Sequence, residues 1–404
     1  MAIILKNSAA PAGHEKMVIQ TSDPSGGHLR LFPGTNQVVL SSAWNGSVRT
    51  MFRSTDSGNT YQTMPESFPN FVTNNNAISF NNRYYYIGDP STIDDVAYMA
   101  ASNDMGSTWN YDVSNNVNSP NRFGHVYSSR DGKYVIGTSG GYNTTGDMVF
   151  SNDFGETWTH PLGSQKWYNP FISPDGQNMI VAGDSWNSPK VVPQYSDDYG
   201  ATWGNFPVNV STLAGTMISG DGNYKVVWEQ FENVPLGNPK AKVFVSTDWT
   251  NWDVSSLITE RCSGGSISND GKYQLIAASD GYNGNTDVIN LSTDYGQTWQ
   301  QKPLGVTEYW FDCAMSSDGK YMIVVPGLTT GSENYPRKSV DYGTTWEEVT
   351  DMPNARYYGV KMSKSGRYAY AYAINEGIIH STDYMASWTQ QFDGSTGQAV
   401  FINF

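Results

Sequence analysis

Apolar residues along this chain come in short runs, each ended by a polar turn and followed by a second short run. The turns share a signature: Ser129-Arg-Asp131-Gly132-Lys-Tyr134, Ser173-Pro-Asp175-Gly176, Ser219-Gly-Asp221-Gly222, Ser268-Asn-Asp270-Gly271-Lys-Tyr273 and Ser316-Ser-Asp318-Gly319-Lys-Tyr321. Weaker versions stand at Asn81-Asn82, at Ser365-Gly366 and near Gly34. Asp-Gly between two apolar runs is a strong hairpin signal, because the turn needs positive φ and glycine reaches it without a Cβ clash.

A second pattern follows each hairpin by 16 to 25 residues. It reads Ser-x-Asp-x-Gly-x-Thr-Trp, as in Ser102 to Trp109, Ser151 to Trp158, Ser196 to Trp203, Ser292 to Trp299 and Ser339 to Trp346, with Tyr61 ending the copy that starts at Ser54. Two copies are degenerate: Ser246 to Trp252 is one residue short, and Ser381 to Trp388 has Met385 in place of Gly. Successive serines lie 48, 49, 45, 50, 46, 47 and 42 residues apart. Each unit therefore reads strand A, Asp-Gly turn, strand B, variable loop, strand C, box, strand D. One such sheet cannot bury both of its faces alone, so the units are expected to pack radially.

The fold class expected is all-β, an eight-bladed β-propeller of four-stranded antiparallel blades. Residues 1–25 form an N-terminal extension and 26–404 the propeller, with the apolar segment 398–404 adding a strand that closes the ring against the first blade, alongside Lys16 to Thr21. In each box the aspartate is expected to accept backbone N–H groups, glycine to supply the left-handed residue and tryptophan to wedge between sheets. Asp56, Asp104, Asp153, Asp198, Asp248, Asp294, Asp341 and Asp383 are thus read as structural. Boxes and A–B turns share one rim, which leaves function to the opposite rim.

Composition agrees with many short strands: 40 Gly, 26 Tyr and 13 Trp, with only 15% charged residues. Lys plus Arg number 24 against 38 Asp plus Glu, a formal charge of −14. An acidic surface repels phosphate backbones and anionic lipid, so neither nucleic acid nor membrane insertion is expected. No run approaches the roughly 18 apolar residues of a membrane span. Met1 to Ser8 lacks the charged and apolar regions of a signal peptide. Cys262 and Cys313 are too few for a disulfide framework and read as buried thiols. The five histidines are scattered, so no metal centre and no cofactor is expected.

The box pattern resembles the Asp-box (bacterial neuraminidase) repeats of sialidase-like propellers across residues 28–390. That resemblance implies fold more than function, since such propellers include sialidases, xyloglucanases, sorting receptors, assembly factors and lectins. The Arg-Ile-Pro element that sialidases carry before the first box is missing. The opening Met1-Ala-Ile-Ile-Leu-Lys6-Asn-Ser8-Ala-Ala-Pro11 resembles that of tail-fibre and other virion proteins of large tailed phages, which implies display on a virion.

Eight residues before the turn aspartate, at the start of strand A, stand Phe123, Trp167, Trp310 and Tyr357, with Leu213 and Cys262 in two other units. One residue earlier stand Arg122, Lys166, Arg261 and Arg356. Aromatic faces stack on sugars and arginine grips carboxylates, which describes an acidic-glycan site. The same aromatics equally describe a plug that closes the channel. Trp44 and Trp186 add to the variable loops. A glycosidase would need two carboxylates about 5–9 Å apart, for which Glu260, Glu308 and Asp351 are candidates. The expectation is a non-enzymatic virion attachment or decoration protein binding glycan or a neighbouring virion protein. Homo-oligomerisation within an assembly stays open. The alternatives are a sialidase-like glycoside hydrolase and a pure scaffold.

Overall fold

In the computed structural model, residues 39–44, 48–54, 62–69, 76–78, 83–88, 99–110, 125–138, 145–183, 191–208, 213–229, 242–256, 261–279, 286–327, 335–373, 376–390 and 397–402 are described. Every regular element among them is a strand. They form seven four-stranded antiparallel sheets and one three-stranded sheet. In six of the four-stranded sheets the strands lie in chain order, as in Trp167–Ile172, Met179–Gly183, Gln194–Ser196 and Gly204–Asn205. The remaining one takes its edge strand from the end of the chain: Gly397–Ile402 pairs antiparallel with Val39–Trp44. Joining the two ends in one sheet removes a free strand edge.

The first strand of each sheet packs on the first strand of the next, from Asn76–Ile78 through His125–Ser128, Trp167–Ile172, Leu213–Ile218, Arg261–Ile267 and Trp310–Met315 to Tyr357–Met362. Gly397–Ile402 touches Asn76–Ile78 on one side and Ala369–Ala373 of the last sheet on the other. The inner strands thus follow one another around a common axis.

The core lies between sheets. Second strands such as Met179–Gly183, Met322–Pro326 and Ala369–Ala373 are buried at every position, which is why they read as continuous apolar runs. One cluster joins Ile136, Met148 and Phe150 of one sheet to Trp167, Ile172, Met179 and Val181 of the next. Each such aliphatic side chain contributes roughly 1.5–3 kcal/mol on burial.

The boxes close the C–D corners by local hydrogen bonds. Ser292 Oγ donates to Asp294 Oδ1 at 2.9 Å and accepts Gly296 N–H at 2.9 Å. Asp294 also accepts Thr298 N–H at 2.9 Å and the Thr298 hydroxyl at 2.5 Å. Asp104, Asp153, Asp198 and Asp341 accept the same set, and Asp383 accepts it with Ser387 in the Thr place. In the short copy, Asp248 accepts from Thr250 and Asn251 instead.

Two residues in each described full-length box are left-handed, not glycine alone: Tyr295 and Gly296 have φ of 65° and 80°, Tyr342 and Gly343 62° and 75°. A tyrosine there is strained. The compensation is visible in its ring, which packs on a tyrosine of the preceding sheet's A–B hairpin. Tyr295 meets Tyr224 at 5.0 Å, Tyr342 meets Tyr273 and Tyr384 meets Tyr321 at 5.2 Å. Each box also docks on its own A–B turn, as Tyr342 N–H does on Lys320 O at 3.1 Å. Boxes and A–B turns therefore share a rim.

Candidate functional site

At the opposite rim, the strand starts do not offer rings to solvent. Trp167 is 3% exposed, and Trp310 and Tyr357 are 0% exposed, as deeply placed as Leu213 and Cys262 at the same position. Their polar atoms are turned inward too: Trp167 Nε1 donates to Gly163 O at 2.9 Å and the Tyr357 hydroxyl to Pro353 O at 2.6 Å. A ring packed on both faces cannot stack on a sugar, so these three are core residues rather than ligand-binding ones. Lys166 and Arg356 beside them are half-buried. Arg122, Phe123, Trp186, Glu260, Asp56 and residues 1–25 lie outside the described residues, as do the side chains of Trp44 and Arg261.

The candidate acids are corrected in the same way. Glu308 is 0% exposed and its carboxylate accepts Tyr309 N–H at 2.8 Å. Asp351 is exposed, but its Oδ2 accepts Trp388 N–H at 2.8 Å across the corner. A carboxyl sealed in the core has no route to a glycosidic oxygen, and Asp351 serves a backbone donor.

What the strand start at Trp310 does expose is its two neighbours. Tyr309 and Phe311 are half-buried, and their rings lie 6.2 Å apart at 30°. Gly327 lies beneath them, its N–H on Tyr309 O at 2.8 Å; a Cβ there would meet the Phe311 Cβ at 2.4 Å. Glycine is required by that approach. The pair forms a small aromatic platform at the rim away from the boxes.

A second group lies on the axis. Five inner strands break register near their start, between Tyr168 and Phe171, Leu213 and Gly215, Cys262 and Gly265, Trp310 and Asp312, and Tyr357 and Gly359. Such bulges re-aim side chains. Asp312 emerges there between two glycines: a Cβ on Gly264 would sit 2.6 Å from Asp312 Oδ1, and one on Gly359 3.2 Å from Oδ2. Its Oδ1 accepts Cys313 N–H at 2.9 Å and its Oδ2 accepts Val360 N–H at 3.1 Å. Lys361 Nζ stands 3.6 Å from Oδ2, and the Asp312 charge holds that ammonium above its usual range.

Lys361 is ringed by protein yet open to water, as a side chain in an axial space must be. Burial raises the Tyr127 hydroxyl, with Lys361 acting against that shift and Asp312 adding to it. Tyr127 belongs to His125–Ser128, and two whole sheets separate that strand from Tyr357–Met362 around the ring. Charges on Lys361 and Asp312 therefore reach Tyr127 across the axis. Phe171 packs 6.1 Å from Tyr127, and Asn169, at φ 42°, occupies the bulge beside it.

No family model matches this chain, and no curated protein matches its sequence. Solved structures do match in shape. A chain of the mitotic checkpoint complex aligns with TM-score 0.55 and 11% identity, covering 95% of this chain and 99% of that one. YCF48 bound to D1 peptide aligns with TM-score 0.50 and 14% identity over 79% of this chain and 95% of that one. The GH74 enzyme of Niastella koreensis gives TM-score 0.40 and 15% identity over 85% and 68%. The fold is a β-propeller. At these identities the likeness extends to fold alone.

Among the described residues of the propeller, no three His, Cys, Asp or Glu side chains gather to hold a metal ion. Cys262 and Cys313 are buried free thiols, and burial pushes Cys262 up to about 12, which makes it inert at neutral pH. Burial pushes His125 down to about 4, so its imidazole is neutral. Asp147 stands between the Ser164 hydroxyl, which donates to it, and His160 Nδ1 at 3.6 Å. With the carboxylate in the middle, histidine does not activate the serine, and this is no nucleophilic triad.

Proposed function

We propose that this chain is an eight-bladed, non-enzymatic propeller of the Asp-box kind that binds a glycan, or a neighbouring virion protein, through the rim opposite the boxes. The phage-like opening of the sequence supports a role in virion attachment or decoration. The observation that carries the binding reading is the Tyr309–Phe311 platform, accessible at that rim while Glu308 and Asp351 are committed to backbone N–H groups. Two half-exposed rings held by Gly327 suit the apolar face of a sugar or an aromatic-poor loop of a protein partner.

A glycan array on the purified chain tests this, paired with fluorogenic glycosides. The expected result is binding without turnover, weakened about tenfold or more by Tyr309→Ala or Phe311→Ala while the melting temperature moves little. Turnover abolished by Glu308→Gln would establish the hydrolase instead. Silence on the array, with both alanine variants equally soluble and monodisperse, would leave the virion partner or the scaffold.

A further inference from the structure

Among the described residues seven large apolar side chains are exposed, and four of them occupy one repeat position, the residue after the box aspartate: Met105, Tyr199, Tyr342 and Tyr384. The three tyrosines keep 40–43% of their surface open at φ of 61–63°. Asparagine or glycine would take that backbone at less cost. Stacking on a hairpin tyrosine offsets the strain, yet it leaves much of each ring in water at the box rim.

Each of these three stacks also carries a lysine from the same hairpin. Lys133 Nζ lies 4.9 Å over the Tyr134 ring, which packs 5.3 Å from Tyr199. Lys272 lies 5.2 Å over Tyr273, which meets Tyr342 at 5.2 Å. Lys320 lies 5.1 Å over Tyr321, which meets Tyr384 at 5.2 Å. The last two stacks share a sheet, the one that begins at Trp310 and carries both Tyr321 and Tyr342. The ion pairs among the described residues lie elsewhere and include none of the three ammonium groups. The hairpin carboxylates serve their own turns: Asp131, Asp270 and Asp318 each accept a serine hydroxyl and a lysine backbone N–H. The stack of Tyr224 on Tyr295 has Asn223 where the others have lysine.

We propose that the three lysine–tyrosine–tyrosine stacks of the box rim are subsites for an acidic polysaccharide built of hexuronate sugars. A hexuronate joins an apolar C–H face and a carboxylate on one ring. The face suits the exposed tyrosine, and the carboxylate suits an ammonium that has no carboxylate partner in the fold. A phosphate brings charge without a face, and an acidic peptide brings carboxylates without a rigid one, so neither uses both halves of a stack. Three like subsites let a long chain engage more than one at a time, which raises affinity without new contacts. The subsites are on the rim opposite Tyr309 and stand whether or not that platform binds a glycan.

Titration calorimetry of the full chain with galacturonate, glucuronate and mannuronate sugars tests this, each as a disaccharide and as a long chain, beside neutral oligogalactose and polyglutamate. Saturable binding of at least one uronate is expected, about tenfold or more tighter for the long chain. Tyr342→Asn and Tyr384→Asn, which suit the backbone, and Lys272→Gln and Lys320→Gln should each weaken it about threefold or more. Asn223→Lys, which completes the stack at Tyr224, should strengthen it. Val254→Ser removes a side chain 56% exposed on the outer strand Asp253–Ser256 and should change nothing. Tyr309→Ala separates the rims: binding kept there and lost in the box variants supports the subsites, and the reverse assigns the glycan to the platform and overturns them. No saturable binding of any uronate, equal binding of polyglutamate, or equal affinity for disaccharide and long chain would also overturn the proposal. Circular dichroism melts of each variant separate lost binding from lost fold.

Discussion

At the box rim six of the seven described corners repeat the same hydrogen bonds, all but the short copy at Asp248, whereas the strand starts at the far rim repeat only their burial. Asp104, Asp153, Asp198, Asp294 and Asp341 each hold a threonine N–H four residues on. Trp167, Leu213, Cys262, Trp310 and Tyr357 share a place in the core with no chemistry in common. A corner stabilised by its own few residues must keep their identities. A strand start stabilised by packing needs only volume, and its outward neighbours are free to differ. That freedom is where Tyr309 and Phe311 arise.

The largest effect that sharpens this contrast comes from glycines with the same φ in different surroundings. Gly319 has φ +75°, and a Cβ there would lie 2.4 Å from the Tyr273 ring. Gly305, on the outer strand Gln300–Glu308, has φ +74° and nothing within 4 Å. Gly319→Val should cost about 3–5 kcal/mol, combining φ strain with overpacking, whereas Gly305→Ala should cost about 1–2 kcal/mol from φ alone. Urea midpoints at constant m-value would decide. Equal losses would mean that Tyr273 is not pinned between sheets.

A smaller effect is expected from a corner carboxylate. Asp294→Ala removes the acceptor for Thr298 and Ser292 and should cost about 1–2 kcal/mol at pH 7, at the lower end because the corner is open to water. Desolvation would raise this carboxyl, but the hydrogen bonds outweigh it and hold the folded group below 3.8. A depressed acid gives stability that is present above its unfolded pKa and lost as pH falls through the folded one. The gap between wild type and Asp294→Ala should therefore close below about pH 3.8. A gap that persists at lower pH would assign the loss to packing instead.

These corners were readable from sequence because every group in them lies within eight residues. Ser292, Asp294, Gly296 and Thr298 are adjacent on paper and in space. The far rim was readable only to within one residue. Repeat alignment found Trp310, but bulges decide which neighbour of a buried residue faces out, and they leave no mark in the sequence. The axial group was not readable at all. Tyr127, Asp312 and Lys361 come from three sheets and share no repeat position as a chemical type, so only ring closure brings them together.

Tyr342 isolates the strain at the box rim. It sits at φ 62° and stacks on Tyr273. Tyr342→Ala keeps the strained backbone and loses the ring contact, for about 1 kcal/mol of destabilisation. Tyr342→Gly loses the same contact but releases the strain, so it should be the milder change. If alanine proves milder than glycine, the backbone at this φ carries no strain for glycine to release.

The smallest effect has the opposite sign and bears on the turn that carries Lys364. Lys364 replaces no hydrogen bond of its turn, and Ser365 has taken the position of the aspartate. Burial, and then Arg130, lower its folded pKa to about 8 from 10.5. A lysine depressed in this way binds fewer protons folded than unfolded between those two values. Stability must then rise with pH across that window. Below about pH 8 the folded state carries the full cost of the charge, and above about 10.5 it carries none. Lys364→Met should accordingly be slightly more stable than wild type at pH 7, with the difference vanishing towards pH 10.5. Arg130→Gln should shrink that difference by removing the second cause.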